Sequence, residues 1–245
     1  MKRIVVIIQA RMGSTRLPGK VLKKIKGKTI LYYVVERVKK SKMIDEIVIA
    51  TTLNKRDNSI VKEAESLNVK SFRGNEEDVL SRYYQAAIKY HADVIVRITS
   101  DCPLIDAEII DKIIIKHIEN KAYYTANIIE RTFPRGLDTE VFNFNVLELA
   151  NTQAKEKYHR EHVTTFIREN PDRFKLQNIK AFDKINRPDI RITIDTKEDF
   201  KLISKIIKNF KDIEFKIEDV IDFLNENPQL LDINKNIIQK DVKNN

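Results

Sequence analysis

The 245-residue chain has little cysteine, glycine and proline: one Cys, five Gly, six Pro, and no Trp. A single thiol, Cys102, cannot form an internal disulfide or a thiolate zinc site, so a reducing compartment fits. So few glycines and prolines exclude a fibrous or low-complexity architecture. No apolar run reaches membrane-spanning length, and Gln9 and Arg11 end the first one before a signal peptide could form. We expect a globular, cytoplasmic protein with no membrane partner.

The formal net charge is +9, which raises the question of nucleic-acid binding. The lysines are scattered along predicted helix faces, and no basic tract with interleaved aromatic residues occurs. We therefore expect a solvated basic surface that helps to attract an anionic substrate, and no nucleic-acid partner. A basic nucleic-acid-binding protein remains the alternative outside the enzymes.

Hydrophobic patterning in the first half alternates between strand and helix periods. Predicted strands cover residues 4–8, 47–51 and 93–99, and predicted helices cover residues 30–38, 60–67 and 79–88. The second half predicts helices at 108–118, 162–169 and 198–207, and strands at 123–126, 139–142 and 191–194. This order predicts an α/β fold with three αβα layers around a mostly parallel sheet.

We find no linker and no internal repeat, so residues 1–245 are expected to form a single domain with a helical C-terminal extension at about 205–245. The sequence leaves the role of this extension open. Packing against the domain and formation of a homodimer are both compatible with it. Its polar end, residues 240–245, is expected to fray.

A loop with a phosphate-binding composition follows the first predicted strand. Residues 9–20 contain two glycines that allow close backbone approach, and the cations Arg11, Arg16 and Lys20. It differs from a Walker loop because Val21 stands where a magnesium-binding hydroxyl is required. Ligands of parallel sheets collect beyond the carboxyl ends of the strands, so the segments after Ile8, Thr51 and Ile98 should border one crevice. An exposed basic turn is the alternative.

The sequence Ile8-Gln-Ala-Arg-Met-Gly-Ser-Thr-Arg-Leu-Pro-Gly-Lys20 resembles the signature loop of the cytidylyltransferase family, which activates 3-deoxy-manno-octulosonate and acylneuraminates. Further motifs resemble the branch named for spore coat polysaccharide biosynthesis protein F. They lie at residues 72–80, 97–105, 136–142, 159–163 and 191–199. Agreement of ordered motifs over about 200 residues is far more specific than any one of them.

The resemblance implies a sheet of the nucleotide-diphospho-sugar transferase type with a nucleoside triphosphate over the first loop. It implies Arg16, Lys20, Asp101 and Asp195 as catalytic residues, and the two aspartates as ligands of Mg²⁺. Further nucleotide contacts are implied for Gln9, Ala10, Arg11, Gly13, Ser14, Thr51, Asn75, Asp78 and Ser100. Local roles remain open: a turn for Asp101, a helix N-cap for Asp195 and a charge at a helix N-terminus for Asp78.

On the acceptor side, the resemblance implies substrate contacts from two segments. They comprise Arg135, Asp138, Glu140, His159, Glu161 and His162. Arg135 would favour a carboxylate or phosphate through bidentate pairing. The histidines, at the start of a predicted helix, could instead lie on the surface or coordinate a metal.

The expected reaction joins CTP to a sugar acid, or a related polyol or sugar phosphate, and releases pyrophosphate for surface polysaccharide biosynthesis. Magnesium could activate the attacking hydroxyl, so the sequence calls for no dedicated protein base. GTP or UTP as donor remains an alternative. A glycosyltransferase of the same fold is another, although the chain lacks an Asp-x-Asp tripeptide.

Overall fold

A mixed β-sheet forms the centre of the protein, whose computed structural model describes residues 2–239. The strands are β1 (Ile4–Gln9), β2 (Lys24–Ile25), β3 (Lys28–Thr29), β4 (Glu46–Thr52), β5 (Lys70–Gly74), β6 (Val94–Thr99), β7 (Tyr124–Ala126), β8 (Glu140–Asn143) and β9 (Leu176–Asn178). Seven of them form one sheet in the order β5-β4-β1-β6-β8-β7-β9, and β2 pairs with β3 separately. Strands β5, β4, β1 and β6 are mutually parallel, whereas β8 runs antiparallel to β6 and β7.

Helices cover both faces of the sheet. They are α1 (Ile30–Val38), α2 (Asn58–Ser66), α3 (Val79–Lys89), α4 (Ala107–Glu119), α5 (Phe144–Gln153), α6 (Lys157–His162), α7 (Thr165–Arg168), α8 (Lys197–Asn209) and α9 (Ile217–Glu226). Alternate residues of β1 enter different cores. Val6 and Ile8 join the core that contains α1, α4, α8 and α9, and Val5 and Ile7 join the core of α3 and α5. The predicted three-layer, mostly parallel α/β fold is confirmed.

Central strands were predictable because they are apolar on both faces, as buried parallel strands are. The register β1 to β4 and β1 to β6 brings Gln9 beside Ala50 and Thr99. The carboxyl ends of three strands therefore meet at one edge of the sheet. The loops after β1 and β6 line the site, whereas no residue of the loop after β4 does, so the crevice predicted after Ile8, Thr51 and Ile98 is bordered by two of the three segments.

Two local predictions are wrong. Residues 191–194 do not form a strand, and only Arg191 makes an isolated bridge, to Arg135. The helix predicted at 162–169 is instead the end of α6 and the whole of α7, separated by Val163 and Thr164, and the Val163 φ of 55° is incompatible with a right-handed helix. His159 and His162 consequently lie in the last turn of a helix and do not open one.

The C-terminal segment packs on the main core. Ile217, Val220, Ile221 and Leu224 of α9 are buried there, which fits the packing role that the sequence left open. Residues 240–245 lie outside the described residues, and the single-domain and homodimer predictions stay predictions. Within residues 2–239, no helix combines the length and the hydropathy needed to cross a membrane.

Candidate active site

Two cavities adjoin one another at the carboxyl edge of the sheet. The first, about 610 Å³, is bordered by the loop after β1 and is called here the loop cavity. The second, about 640 Å³, contains Arg97, Arg131, Arg135 and Arg168 and is called the arginine cavity. Both are lined by the same residues where they meet: Arg16, Thr99, Asp101, His162 and Asp195. A ligand in one cavity can therefore contact a ligand in the other.

Backbone contacts hold the loop after β1 in place. Met12 N–H donates to the Asp57 carboxylate at 2.8 Å, and Gly19 N–H donates to the Met12 carbonyl at 3.0 Å. Gly19 adopts φ 65°, which favours glycine. At Gly13 a Cβ atom would lie 2.6 Å from the Arg56 guanidinium. The glycines therefore let the loop fold tightly while its cationic side chains reach the cavity.

Lys20 lies at the point on which the two aspartates converge. Its Nζ donates to Asp101 Oδ2 at 2.8 Å, to Asp195 Oδ1 at 2.8 Å and to the Ile194 carbonyl at 2.7 Å. The other oxygen of Asp195 is 3.1 Å from Arg16 Nη2 and 2.9 Å from Arg191 Nη2. Segments far apart in sequence thus form one ionic cluster between the cavities.

A buried carboxylate behind the cluster positions Asp195. Asp199, fully buried, accepts the Asp195 backbone N–H at 2.9 Å and pairs with Arg191 at 2.9 Å. Thr196, and not Asp195, caps α8, through a capping box with Asp199. The alternative that Asp195 is only an N-cap is therefore wrong, and its side chain lines both cavities.

Charge pairing controls ionisation in this cluster. Burial by itself would raise the pKa of Asp101, but the charge and hydrogen bond of Lys20 outweigh burial and lower it. Burial likewise opposes the charged form of Lys20, yet Asp101 and Asp195 raise the pKa of its ammonium. The Asp101 carboxylate and the Lys20 ammonium are consequently charged at neutral pH.

The two aspartates have the chemistry of a partial magnesium site. Asp101 and Asp195 each direct one oxygen at the same ammonium, so those oxygens lie close to one another. Mg²⁺ commonly takes one or two carboxylates and completes its shell with water and phosphate oxygens. Within the described part of the chain, no group of three or more His, Cys, Asp or Glu could hold a metal ion. The residues fit a metal that arrives with a phosphate ligand and do not fit a closed structural site.

Some arginines of the arginine cavity are neutralised and others are not. Arg131 forms a bidentate pair with Asp138 at 2.7 and 2.9 Å, and Arg97 pairs with Glu140. Arg168 makes no ion pair within residues 2–239, and its Nε is buried without a hydrogen-bond partner. Arg135 likewise lines the cavity with no carboxylate partner among the described residues, and burial lowers its pKa. The cavity thus retains two unpaired guanidinium groups.

Most residues implied by the family resemblance lie at the cavities. The loop cavity is lined by Gln9, Ala10, Arg11, Ser14, Arg16, Lys20, Ser100, Asp101, Glu161, His162 and Asp195. The arginine cavity is lined by Arg135, Asp138 and Glu140, together with residues shared with the loop cavity. The two sets of residues therefore lie at adjoining cavities, and their roles in binding a nucleotide and an acceptor stay predictions.

Five predicted site residues do not line either cavity: Gly13, Thr51, Asn75, Asp78 and His159. Thr51 is fully buried in β4. Asp78 caps α3 and pairs with Arg160 at 2.6 Å, as its local alternative requires. His159 Nε2 lies 2.8 Å from Glu169. Both oxygens of the Glu140 carboxylate already accept hydrogen bonds, from Arg97, Tyr124 and Thr164. Glu140 therefore contributes to the cavity wall and has little remaining capacity to bind a ligand.

Sequence reasoning missed several arginines of the cavity. Arg97 lies in the motif at residues 97–105, but its apolar neighbours give no sign of a role. Arg131 and Arg168 stand outside every motif, because the chain shows no local pattern that distinguishes them from surface arginines. Only the fold brings them to one cavity.

Comparison with known proteins identifies the class of this site. The chain matches the cytidylyltransferase family over residues 5–234. Spore coat polysaccharide biosynthesis protein SpsF of Bacillus subtilis is 36% identical over 93% of this chain and 96% of that protein. An uncharacterised protein of Methanocaldococcus jannaschii is 49% identical over 98% of both chains. A solved cytidylyltransferase structure from Leptospira borgpetersenii superposes with a TM-score of 0.91 at 35% identity, covering 98% of this chain and 100% of that one.

The protein is therefore a nucleotidyltransferase, and the chain belongs to the cytidylyltransferase family. The fold expected from the resemblance is confirmed, and so is the relation to the spore coat branch.

Proposed function

We propose that the protein transfers CMP from CTP to a hydroxyl group of an anionic sugar and releases pyrophosphate. The observation that supports this most directly is the pair of cavities that meet at Asp101 and Asp195. The loop cavity suits a triphosphate, and the arginine cavity suits an acceptor. The α-phosphorus would lie at their junction, where an acceptor oxygen can attack in line.

Cations of the loop cavity match the charge of a triphosphate. Arg11, Arg16 and Lys20 line this cavity. On binding of the triphosphate, phosphate oxygens would take the place of Asp101 and Asp195 as hydrogen-bond acceptors of the Lys20 ammonium. The buried cation would therefore remain fully hydrogen-bonded. Lys20 and Arg16 would then stabilise the negative charge on the departing pyrophosphate.

Asp101 and Asp195 would hold magnesium in the working enzyme. A magnesium ion supplies charge neutralisation of the phosphate oxygens as the bond to the leaving group breaks. Asp199 and Arg191 would keep the Asp195 carboxylate aimed at the junction.

The acceptor is proposed to carry a negative charge. Arg135 and Arg168 have no carboxylate partner within the described residues, whereas Arg97 and Arg131 do. A half-buried guanidinium without a carboxylate partner is incompletely satisfied, so the arginine cavity favours a ligand that supplies a carboxylate or phosphate. The name of the SpsF relative agrees with a sugar destined for a surface polysaccharide.

Pyrophosphate release tests this proposal. Purified protein would be incubated with CTP, GTP, UTP or ATP and Mg²⁺, with 3-deoxy-manno-octulosonate, N-acetylneuraminate or glucose 1-phosphate as acceptor. We expect release with CTP and a sugar acid, and none without magnesium. Release with GTP or UTP alone would overturn the choice of CTP, and release of a nucleoside phosphate from a nucleotide sugar would indicate a glycosyltransferase.

Loss of either metal ligand provides the matched test. Asp101→Ala and Asp195→Ala should each reduce turnover by at least about 10³-fold, because an interaction worth several kcal/mol to the transition state is lost. Both variants should keep the far-ultraviolet circular dichroism spectrum of the wild type. Near-normal turnover in both would contradict the metal assignment.

A further inference from the structure

His162 occupies the junction of the two cavities in a form suited to proton transfer. Of the residues shared by both cavities, Arg16 is a cation, and Asp101 and Asp195 are paired with Lys20. Thr99 contacts the Cys102 thiol. Among the residues that line both cavities, His162 is the one whose titratable side chain takes part in no ion pair within residues 2–239.

The imidazole offers an open nitrogen. Nε2 is buried and has no hydrogen-bond partner within residues 2–239. Nδ1 has no partner there either, and it is not among the buried unpartnered atoms, so it remains accessible from the cavities. A histidine in a purely structural role usually has its ring nitrogens satisfied, as His117 has with Thr125 and Asn143.

The backbone directly after His162 is strained. Val163 adopts φ 55° and ψ −59°, and Thr164 N–H donates to the His162 carbonyl at 2.5 Å. This is a three-residue turn of the rare form, and a β-branched residue at such a φ is an outlier. Backbone strain of this kind persists where the surroundings impose it and clusters at functional sites. Here it ends α6 directly after His162 and leaves the imidazole at the junction.

We infer that His162 is the general base of the reaction, with Nδ1 accepting the proton of the acceptor hydroxyl. This inference rests on the proposed function and adds the proton acceptor to it. The acceptor oxygen forms a bond to the α-phosphorus while the bond from that phosphorus to the bridging oxygen breaks. Pyrophosphate leaves with the electron pair of the broken bond, and the hydroxyl proton passes to His162.

The surroundings keep the imidazole neutral and therefore able to accept a proton. Burial lowers the pKa of His162, and the cations Arg97 on β6 and Arg168 on α7 lower it further. The acidic groups facing it, Glu161 on its own helix and Glu140 on β8, act in the opposite direction. Activity should accordingly rise with pH through a group titrating below 6.5 and stay high at neutral pH.

The kinetic test compares His162→Asn with His91→Asn, a control at an exposed histidine outside both cavities. Pyrophosphate release from CTP and 3-deoxy-manno-octulosonate would be measured from pH 5 to 9. We expect kcat of His162→Asn to fall by about 100-fold, with the acidic limb of the pH profile lost and the KM for CTP unchanged. A raised acceptor KM with the acidic limb intact would indicate a binding contact only and would overturn the inference.

A second measurement does not depend on the acceptor. The imidazole C–H resonances of the four histidines would be followed by NMR against pH, with the His162 signal assigned from the Asn variant. We expect its pKa below 6.5 and a shift of the signal when CTP and Mg²⁺ are added. A pKa above this value, or no response to CTP and Mg²⁺, would overturn the inference. Failure of the wild type to release pyrophosphate while this response is present would instead refute the proposed acceptor.

Discussion

Replacing Lys20 by methionine tests whether the ionic cluster stabilises the protein in the absence of ligands. The Lys20 side chain is 12% exposed, and its partners Asp101 and Asp195 are 23% and 17% exposed. After the substitution Asp195 keeps Arg16 and Arg191, but Asp101 has no other cationic partner within residues 2–239. Breaking a fully buried pair costs about 3–5 kcal/mol and an exposed pair about 0–1. For this partly buried pair we expect a loss of about 2 kcal/mol in the free energy of unfolding.

The assay is urea unfolding at pH 7.5 without nucleotide, on Lys20→Met, Asp101→Asn and the double variant. Because Asp101→Asn removes the charge that Lys20→Met leaves unpaired, the double variant should recover about 1–2 kcal/mol relative to the sum of the single changes. Lys24→Met is the matched control, since Lys24 is exposed and should change stability by less than about 0.5 kcal/mol. Additive effects of the two single changes would refute the reasoning.

The stability difference between the wild type and Lys20→Met should also depend on pH, in a direction that the pKa of Asp101 determines. Lys20 lowers the pKa of Asp101 in the folded protein, so this carboxylate contributes stability above its unfolded pKa of about 3.9. That contribution is lost as pH falls through the lower folded value. The stability difference between the wild type and Lys20→Met should therefore be full at neutral pH and shrink below about pH 4. A difference that is constant from pH 3 to 7 would contradict it.

Three further outcomes are expected. Arg168→Gln should raise the KM for an anionic acceptor by about 10-fold or more, as expected for one charged hydrogen bond, with the KM for CTP unchanged in steady-state kinetics. Lys20→Met should bind Mn²⁺ more tightly than the wild type in nucleotide-free titrations followed by electron paramagnetic resonance, because the ammonium no longer competes for the two carboxylates. Gly136→Ala should lower the melting temperature, because φ is 117° and its Cβ would lie 2.6 Å from the Ile192 carbonyl oxygen.

The central fold could be predicted because its signals are local. The strands β1, β4 and β6 are short apolar runs, and helices between them show a 3.6-residue period. Their parallel order then places the following loops at one edge. Strands β5 and β9 escaped prediction because their side chains are only partly buried, so little apolar patterning marks them.

The strand predicted at 191–194 failed for a related reason. Its alternating residues, Ile192 and Ile194, are buried in the core as expected, but the segment runs beside residue 135 as an extended loop instead of joining the sheet. Alternation of apolar residues indicates that one face of a segment is buried. It does not indicate whether the backbone of that segment hydrogen-bonds to a neighbouring strand. The segment does not need to pair with a strand to serve the site, because its path alone brings Asp195 to the junction of the two cavities.

Charge balance within the site was the property hardest to predict. Nothing in the sequence distinguishes the four arginines of the arginine cavity, and the fold decides which of them meets a carboxylate. They are Arg97, Arg131, Arg135 and Arg168. Arg97 meets Glu140 43 residues away, whereas Arg135 and Arg168 meet no carboxylate among the described residues. The sign and the number of free charges in a cavity thus depend on long-range pairing, which is why the sequence alone could not predict which arginines of the arginine cavity lack a carboxylate partner among the described residues.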